Sequence, residues 1–191
     1  MKTREAWLET AIKKLIPVFK KAGYIIPKNI KVSCGWPSGK VGKTLGECWS
    51  PNCSKSKSHE IFIAPTLERV HDPVGVVAIL IHELIHAAVG IECGHKAVFK
   101  RAMKQIGLEG KAKATNANKE LCAEIKTITK ILGPYPHRSM VPGSRVIKTQ
   151  TTRYIKVGCP NCEYICRVTR VHLDNAGAPY CPTHRKQFIE L

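Results

Sequence analysis

The chain has 191 residues, enough for one domain with a full hydrophobic core and a small appended unit, and its formal net charge is +17. It contains no apolar run of the roughly 18 residues that a membrane helix needs, which excludes that class of protein. The first residues alternate charged and apolar side chains instead of forming the apolar segment of a secretion signal. We therefore expect a cytoplasmic, non-secreted protein with no membrane partner. The sequence does not determine the oligomeric state, and a monomer is the favoured state. Its nine cysteines are then expected to be free thiols and metal ligands.

The first third of the chain predicts one helix and three strands. Apolar residues recur at helical spacing over residues 3–22, and Gly23 suits the end of that helix. Pro17 is expected to bend the helix or to end it early. Short segments rich in β-branched and aromatic residues predict strands at 29–34, 44–50 and 59–64.

Helices dominate the middle of the chain. Asp72 and Pro73 suit the N-cap and the first position of a helix that runs to about residue 89. Two more helices are predicted at 95–107 and 118–132. Gly107 ends the first, and Gly133 follows the second. The order of elements predicts an α+β domain, with helices around a small antiparallel sheet.

The segment "AILIHELIHAAVG", residues 78–90, places three ionisable side chains in an apolar helix. Burying such groups is costly unless they share a partner. His82 and His86 are four residues apart, about one helical turn, so both imidazoles face the same side and can hold one metal ion. Glu83 lies beside them and can reach a water molecule without being a ligand. The pattern predicts a catalytic zinc site with Glu83 as general base.

A catalytic zinc needs a third protein ligand. A downstream glutamate, Glu120 or Glu124 on the third of these helices, is one possibility. His95 is the stronger candidate. Gly90 and Gly94 bracket the segment before it, and apolar residues follow it at helical spacing. His95 would lie on the apolar side of the helix predicted at 95–107. That side packs on the core, so the His95 side chain would point inward.

The C-terminal residues predict a second zinc site. "CPNC" at 159–162 and "CPTH" at 181–184 have the spacing of the two ligand turns of a zinc ribbon. Residues between them predict alternating strands with an Asn-Ala-Gly turn, and a unit this small would take its folding energy from the metal. Cys166 and His172 are alternative fourth ligands that fit less well. The predicted structural zinc ligands are Cys159, Cys162, Cys181 and His184.

A basic segment separates the two predicted units. It contains five cations and no acid between residues 138 and 156, together with Pro and Gly. The high positive charge of the whole chain points to a polyanionic partner, and we expect single-stranded or non-specific DNA binding. The predicted organisation is a catalytic domain, a basic linker and a zinc ribbon at 1–137, 138–156 and 157–191.

Other polar residues have weaker signals. Cys48, Cys53 and His59 are close enough in sequence for a third metal site, although Cys48 lies in a predicted strand. Tyr135 and His137 follow the last helix of the catalytic domain and are candidates for a second donor to the oxyanion. An ordinary structural role is the simpler interpretation of all five.

Four segments together resemble one protein family. "LGECW", "HEIFIAP", "HELIHAAVG" and "GHKAVFKRAMKQIGL" are similar to segments of the SprT-like (Spartan-type) zinc metalloproteases, and the likeness covers about residues 5–135. The resemblance implies a zincin-like catalytic domain, with His82, His86 and His95 as zinc ligands and Glu83 as general base. Many members also carry a C-terminal zinc ribbon.

The resemblance further implies a function. Family members are associated with proteolysis of DNA-bound proteins, so we expect a zinc-dependent endopeptidase whose substrates are proteins associated with or crosslinked to DNA. Its location would be cytoplasmic, on nucleoid or host-cell DNA, and it would carry one catalytic and one structural zinc ion. The alternative is a non-catalytic DNA-binding protein in which the zincin domain is structural.

Overall fold

The computed structural model describes residues 3–38, 44–67, 72–112, 114–136, 138, 140 and 154–191. These residues form five α-helices and eight strands in small sheets, which confirms a mixed α+β architecture. None of these helices is both long enough and apolar enough to cross a bilayer. In chain order the elements are α1 (Arg4–Lys21), β1 (Ile30–Cys34), β2 (Gly46–Trp49), β3 (His59–Ile63), α2 (Pro73–Val89), α3 (Ala97–Ile106), β4 (Leu108–Lys111), β5 (Ala114–Ala117), α4 (Lys119–Leu132), β6 (Tyr154–Gly158), β7 (Ile165–Thr169), α5 (Arg170–Ala176) and β8 (Ile189–Glu190).

The chain divides into two compact units, residues 1–144 and 145–191. Each unit has its own cluster of buried apolar side chains. Strand β6 begins at Tyr154, so the last residues of the predicted linker form part of a sheet. Residues 139 and 141–153 of that linker lie outside the described residues, and its boundaries stay a prediction.

Helix α1 forms the predicted amphipathic segment. The Thr3 side chain accepts a hydrogen bond from the backbone N–H of Ala6 and caps the first turn. Pro17 lies inside the helix, which nevertheless continues to Lys21. The apolar face is buried in the core of the first unit through Trp7, Leu8, Ala11, Leu15 and Phe19.

The three predicted strands exist, but the sheet they form is not purely antiparallel. The order is β1-β3-β2, with β3 parallel to β1 and antiparallel to β2. A short 3₁₀ turn, Pro51–Cys53, joins β2 to β3 and makes that pair antiparallel. The most apolar strand takes the central place, with Ile61 and Ile63 fully buried. The prediction of an antiparallel sheet was therefore wrong for the β1–β3 pair.

Helix α2 is the centre of the first unit. Asp72 caps it by accepting a hydrogen bond from the N–H of Gly75, and Gly90 ends it, as predicted. The helix contacts β2 as well as α1, α3 and α4. It is apolar on nearly all sides, as expected of a helix surrounded by protein. Its buried residues are Val76, Val77, Leu80, Ile81, Glu83, Leu84, Ile85 and Ala87.

Two elements near the site differ from the predictions. Helix α3 begins at Ala97, so His95 precedes the helix and follows a 3₁₀ turn, Ile91–Cys93. The hairpin of β4 and β5 was not predicted, because its strands, "LEGK" and "ATNA", lack an apolar alternation. Among the described residues of this hairpin, only Leu108 is fully buried.

The second unit has a three-stranded antiparallel sheet in the order β7-β6-β8. After β7 the chain forms helix α5, where the sequence predicts a strand and a turn. The Thr169 side chain accepts a hydrogen bond from the N–H of His172 and caps this helix, which ends at Gly177. The small core consists of Val157, Cys159, Cys181 and Phe188.

Candidate metal centres and active site

Three histidines converge at one end of the cavity beside α2. His82 and His86 extend from the same face of the helix, one turn apart. His95 comes from the segment between α2 and α3, which turns at two glycines with positive φ, Gly90 and Gly94. The structure brings together the three residues that the sequence predicts as catalytic zinc ligands.

The distances within this cluster fit a tetrahedral zinc ion. Nε2 of His95 lies 3.2 Å from Nε2 of His82 and 3.3 Å from Nε2 of His86. Two imidazole nitrogens that bind one zinc ion at about 2.0–2.1 Å with tetrahedral angles are about 3.3–3.4 Å apart. The donor set therefore fits zinc, and a fourth position remains for a substrate or water.

Burial favours the neutral form of His82 and His86, which is the form that binds metals. Burial, with smaller contributions from the neighbouring histidines, lowers the pKa of His82 to about 3 and that of His86 to about 4. The Phe99 ring contributes to this burial, since its centroid lies 4.3–4.9 Å from the centroids of all three imidazole rings.

A threonine that the sequence reasoning missed orients one of the ligands. Nδ1 of His82 lies 3.2 Å from Oγ1 of Thr115 on β5. With Nδ1 as donor to this hydroxyl oxygen, the lone pair of His82 is on Nε2, toward the cluster. Such partners of a ligand histidine fix its tautomer and ring orientation. No motif marks Thr115, because its position depends on the unpredicted β4–β5 hairpin.

Glu83 lies next to the cluster on α2 and is nearly buried, with 6% of its surface exposed. Burial, with a smaller contribution from the negative charge of Glu47, raises the pKa of Glu83 to about 8. Strand β2 passes very close to this side chain, since a Cβ atom at Gly46 would lie 2.6 Å from Oε1 of Glu83. A glycine at position 46 thus lets the strand hold the carboxyl in place.

These side chains open into a cavity of 530 Å³. Residues 44–48 of the β2 segment form one wall, and the helix and the following turn form the other. The lining includes His82, Glu83, His86, His95 and Thr115.

The alternative ligands and donors lie elsewhere. Glu124 pairs with Lys21 at 3.1 Å on the surface, and neither it nor Glu120 lines the cavity. Tyr135 packs its ring edge-to-face on Trp7, with centroids 5.0 Å apart, and is buried in the core. His137 lies outside the described residues.

The proposed third metal site does not form among the described residues. Cys48 points toward the core beside Glu83, and burial raises its thiol pKa to about 12. Cys53 is exposed, and the Nδ1 atom of His59 is buried without a hydrogen-bond partner. Within the described ranges, His, Cys, Asp and Glu side chains form only two clusters whose donor atoms lie close enough to share a metal ion. Neither cluster contains these three residues.

The second cluster is in the C-terminal unit. Cys159, Cys162, Cys181 and His184 lie together, as predicted from the spacing. The Sγ atoms of Cys162 and Cys181 are 3.8 Å apart, and Nδ1 of His184 lies 3.6 Å from Cys181 Sγ and 3.8 Å from Cys159 Sγ. Tetrahedral zinc with sulfur at about 2.3 Å gives separations of about 3.5–3.8 Å. The four donors fit a closed structural zinc site.

Backbone amides prepare this cluster for a cation. The N–H groups of His184 and Thr183, together with the His184 side chain, lower the pKa of the Cys181 thiol to about 6. The N–H of Asn161 points at Cys159 Sγ over 3.4 Å. Thiolate is the form that binds zinc, so these contacts favour the ligand state.

The chain thus combines two sets of donors that are compatible with zinc, one with three ligands beside a buried glutamate and one with four. The model of the SprT-like family matches residues 16–123, more than half of the chain. The chain therefore belongs to the SprT-like family, which in general is a family of metalloproteases. No curated protein and no solved structure matches it.

We expect the purified chain to contain two zinc ions. Elemental analysis should give one zinc after His95→Asn and two after Cys53→Ser, an exposed cysteine outside both clusters. A chelator should remove the first ion from the three-histidine site, because an open coordination position exchanges faster than a closed one. One zinc ion or none in the wild-type chain would contradict this assignment.

Thr115 offers a test of the histidine site that leaves all its ligands in place. Thr115→Val removes the acceptor for Nδ1 of His82 and should weaken zinc binding about 10- to 100-fold. Thr115→Ser keeps the hydroxyl and should bind zinc nearly as tightly as wild type. Competition with a chromophoric chelator measures both affinities. Equal affinities for the valine and serine variants would show that the hydroxyl does not orient His82.

Proposed function

We propose that this chain is a zinc-dependent endopeptidase with a zincin-type catalytic domain, acting on proteins associated with DNA. The supporting observation is the placement of a buried carboxyl, Glu83, beside three imidazoles whose nitrogens have the spacing of zinc ligands. A structural zinc site needs no such carboxyl outside its ligand set. This favours catalysis over a purely structural zincin domain.

The chemistry divides between the ion and the protein. Zinc held by His82, His86 and His95 would supply Lewis acidity, lowering the pKa of water and polarising a peptide carbonyl. Glu83 lines the same cavity and accepts the proton of the attacking water, then passes it to the amine that leaves. In the chain without a cation, burial raises the pKa of Glu83, and a divalent ion at the three imidazoles would favour the carboxylate form that accepts the proton.

Strand β2 gives a place for the substrate backbone. Among the described residues β2 pairs only with β3, so its other edge can bond an extended peptide. Adding a strand to an exposed edge is a common way to bind peptides through their main chain. Because residues 44–48 line the cavity, a peptide on this edge passes the histidines and Glu83.

Glu83→Gln separates catalysis from zinc binding. The amide keeps the shape of the side chain but cannot accept a proton, so casein hydrolysis should fall at least about 100-fold. Zinc content should stay at the wild-type value. Glu109→Gln, which removes the same charge from an exposed strand, should leave hydrolysis unchanged. Cleavage by the Glu83 variant at the wild-type rate would remove Glu83 as the base.

The proposed association with DNA is supported in the C-terminal unit by the outer face of its sheet. Lys156 on β6 lies directly opposite Arg167 on β7, and both are exposed. Like charges across a strand pair repel each other unless an anion lies between them. Tyr154 is exposed on the same face and offers a ring on which a base can stack.

The first unit has a basic groove of its own. A cavity of 860 Å³ beside His95 is lined by Lys100, Arg101, Lys104 and Lys111, with Met103 and Ala112 as its apolar part. None of the described residues that line it is acidic. A groove of this kind suits a single strand, with phosphates at the cations and sugars or bases on the apolar side chains.

Charge variants of the full chain test the DNA proposal. Replacing two phosphate-binding cations by glutamine should weaken single-stranded DNA binding and reduce the log-log salt slope by about 0.7 for each phosphate that is no longer neutralised. We expect this for Lys156→Gln with Arg167→Gln. The pair Lys13→Gln with Lys14→Gln, exposed on α1, removes the same charge and should leave the slope unchanged.

A second pair, Lys100→Gln with Lys104→Gln, reports on the groove in the same assay. Binding that depends only on net charge would be weakened equally in all three double variants. That result would contradict specific DNA-binding faces.

A further inference from the structure

The outer face of the mixed sheet carries a cavity that the proposed reaction does not use. Its volume is 420 Å³. The walls combine three aromatic rings with two carboxylates, and they consist mainly of Trp36, Trp49, Phe62, Glu47 and Glu60.

Strand alternation separates this cavity from the histidine site. On β2, Gly46 and Cys48 point toward Glu83 and the core, whereas Trp49 is 39% exposed on the other face. Glu47 borders both cavities. One short strand therefore connects the histidine site to the aromatic cavity.

The cross-strand register alternates rings with carboxylates. Glu47 is paired with Phe62, and Trp49 is paired with Glu60, so each carboxylate has an aromatic ring directly across from it. Strand β3 lies between β1 and β2, and directly after β1 Gly35 lies over the Phe62 ring of β3, where a Cβ atom would be 3.4 Å from Cδ1. The next residue, Trp36, lines the cavity.

Hydrogen bonds hold both carboxylates in place. The N–H of Ser38 donates to Oε2 of Glu47 over 2.8 Å, and the Ser38 hydroxyl donates to Oε1. Burial raises the pKa of Glu47, but these hydrogen bonds outweigh it, and the net pKa is lowered. Oε1 of Glu60 accepts from the Ser54 hydroxyl over 2.8 Å and lies 3.6 Å from Nζ of the half-exposed Lys31. An incoming cation competes with Lys31 only for a weak surface ion pair.

Aromatic faces combined with carboxylates bind cations. The same carboxylates repel phosphate, so this cavity differs from the basic surfaces of the chain. We propose that the aromatic cavity binds the lysine or arginine side chain of a protein substrate whose backbone pairs with the free edge of β2. This rests on the proposed peptidase function and assigns a preference to it.

Because side chains alternate along a strand, the preference for a basic residue should apply to alternate positions of the substrate peptide. A strand added to β2 lies about 4.8 Å away, and its side chains alternate between the two faces. A basic residue of the peptide that lies beside Glu47 or beside Trp49 points to the outer face and reaches the cavity. These two positions are two residues apart along the peptide. A basic residue at the position between them points to the histidine side and does not reach the cavity.

The test is a lysine scan with the full-length, zinc-loaded protein. One lysine is moved along an otherwise neutral fluorogenic peptide, with norleucine as the uncharged replacement. We expect kcat/KM to rise about tenfold at one position or at positions two residues apart, and not between them. An increase at every position, or at none, overturns the proposal.

Substitutions of cavity residues test whether the preference for lysine over norleucine arises in the cavity. Glu60→Gln and Trp49→Ala should each bring the lysine-to-norleucine ratio of kcat/KM close to one. Trp49→Phe keeps an aromatic ring and should retain part of the preference. Glu109→Gln removes an equal charge elsewhere and should retain all of it. A preference that survives both Glu60→Gln and Trp49→Ala overturns the assignment.

A binding measurement separates this proposal from the peptidase function. Glu83→Gln protein is titrated with the lysine and norleucine peptides by tryptophan fluorescence. We expect about tenfold tighter binding of the lysine peptide, abolished when Glu60→Gln is added. Such binding with no cleavage by wild type keeps the cavity and rejects the peptidase. Equal binding of the two peptides, or fluorescence that responds to single-stranded DNA through Trp49 instead, rejects the cavity.

Discussion

The structure of the first unit depends on one constraint, which is that ionisable side chains lie in an apolar helix at its centre. Helix α2 is surrounded by protein, and its histidines and glutamate respond to burial in opposite directions, the imidazoles toward lower pKa and Glu83 toward higher pKa. Without a cation, burial favours the neutral form of all three. A divalent ion binds neutral imidazoles and favours an ionised carboxylate beside it. A zinc ion bound to these imidazoles would therefore make this sequence compatible with its position in the core.

Strand β2 is the second element on which the site depends. It approaches α2 closely because residue 46 has no side chain, and it positions the Glu83 carboxyl by contact. Its alternation also determines what each face of the sheet can recognise. The inner face lies against the reacting groups, and the outer face carries aromatic rings and carboxylates. In the proposed function, catalysis and substrate recognition would therefore take place on opposite faces of the same four-residue strand.

Local patterns in the sequence predicted the parts of the site that depend on spacing. The two histidines of α2, His95 and the four ribbon donors are brought together as expected, since helical periodicity and Cys-x-x-Cys turns are local properties. His95 was predicted at the start of a helix, but it precedes α3, because the chain turns at Gly90 and Gly94 first.

Features that depend on long-range packing were not predicted. The parallel β1–β3 pair and the β4–β5 hairpin that carries Thr115 have no local signal. The aromatic cavity joins Trp36 to Phe62 across two strands, which only the order of the sheet determines. Helix α5 forms in place of a predicted turn because Thr169 caps it.

The two separate cores have a consequence for the meaning of stability in this chain. The larger core contains many apolar side chains from helices and a sheet, whereas the smaller one contains four buried residues, of which two are candidate zinc ligands. If zinc binds the four donors, folding of the smaller unit should depend on zinc activity and on pH, while the larger unit has an apolar core that no metal supplies. Two separate cores need not share one unfolding transition, so a single melting temperature is not expected to describe the chain. Loss of the smaller unit by oxidation of its cysteines or by a chelator is then expected to be a local event that leaves the core of the first unit folded.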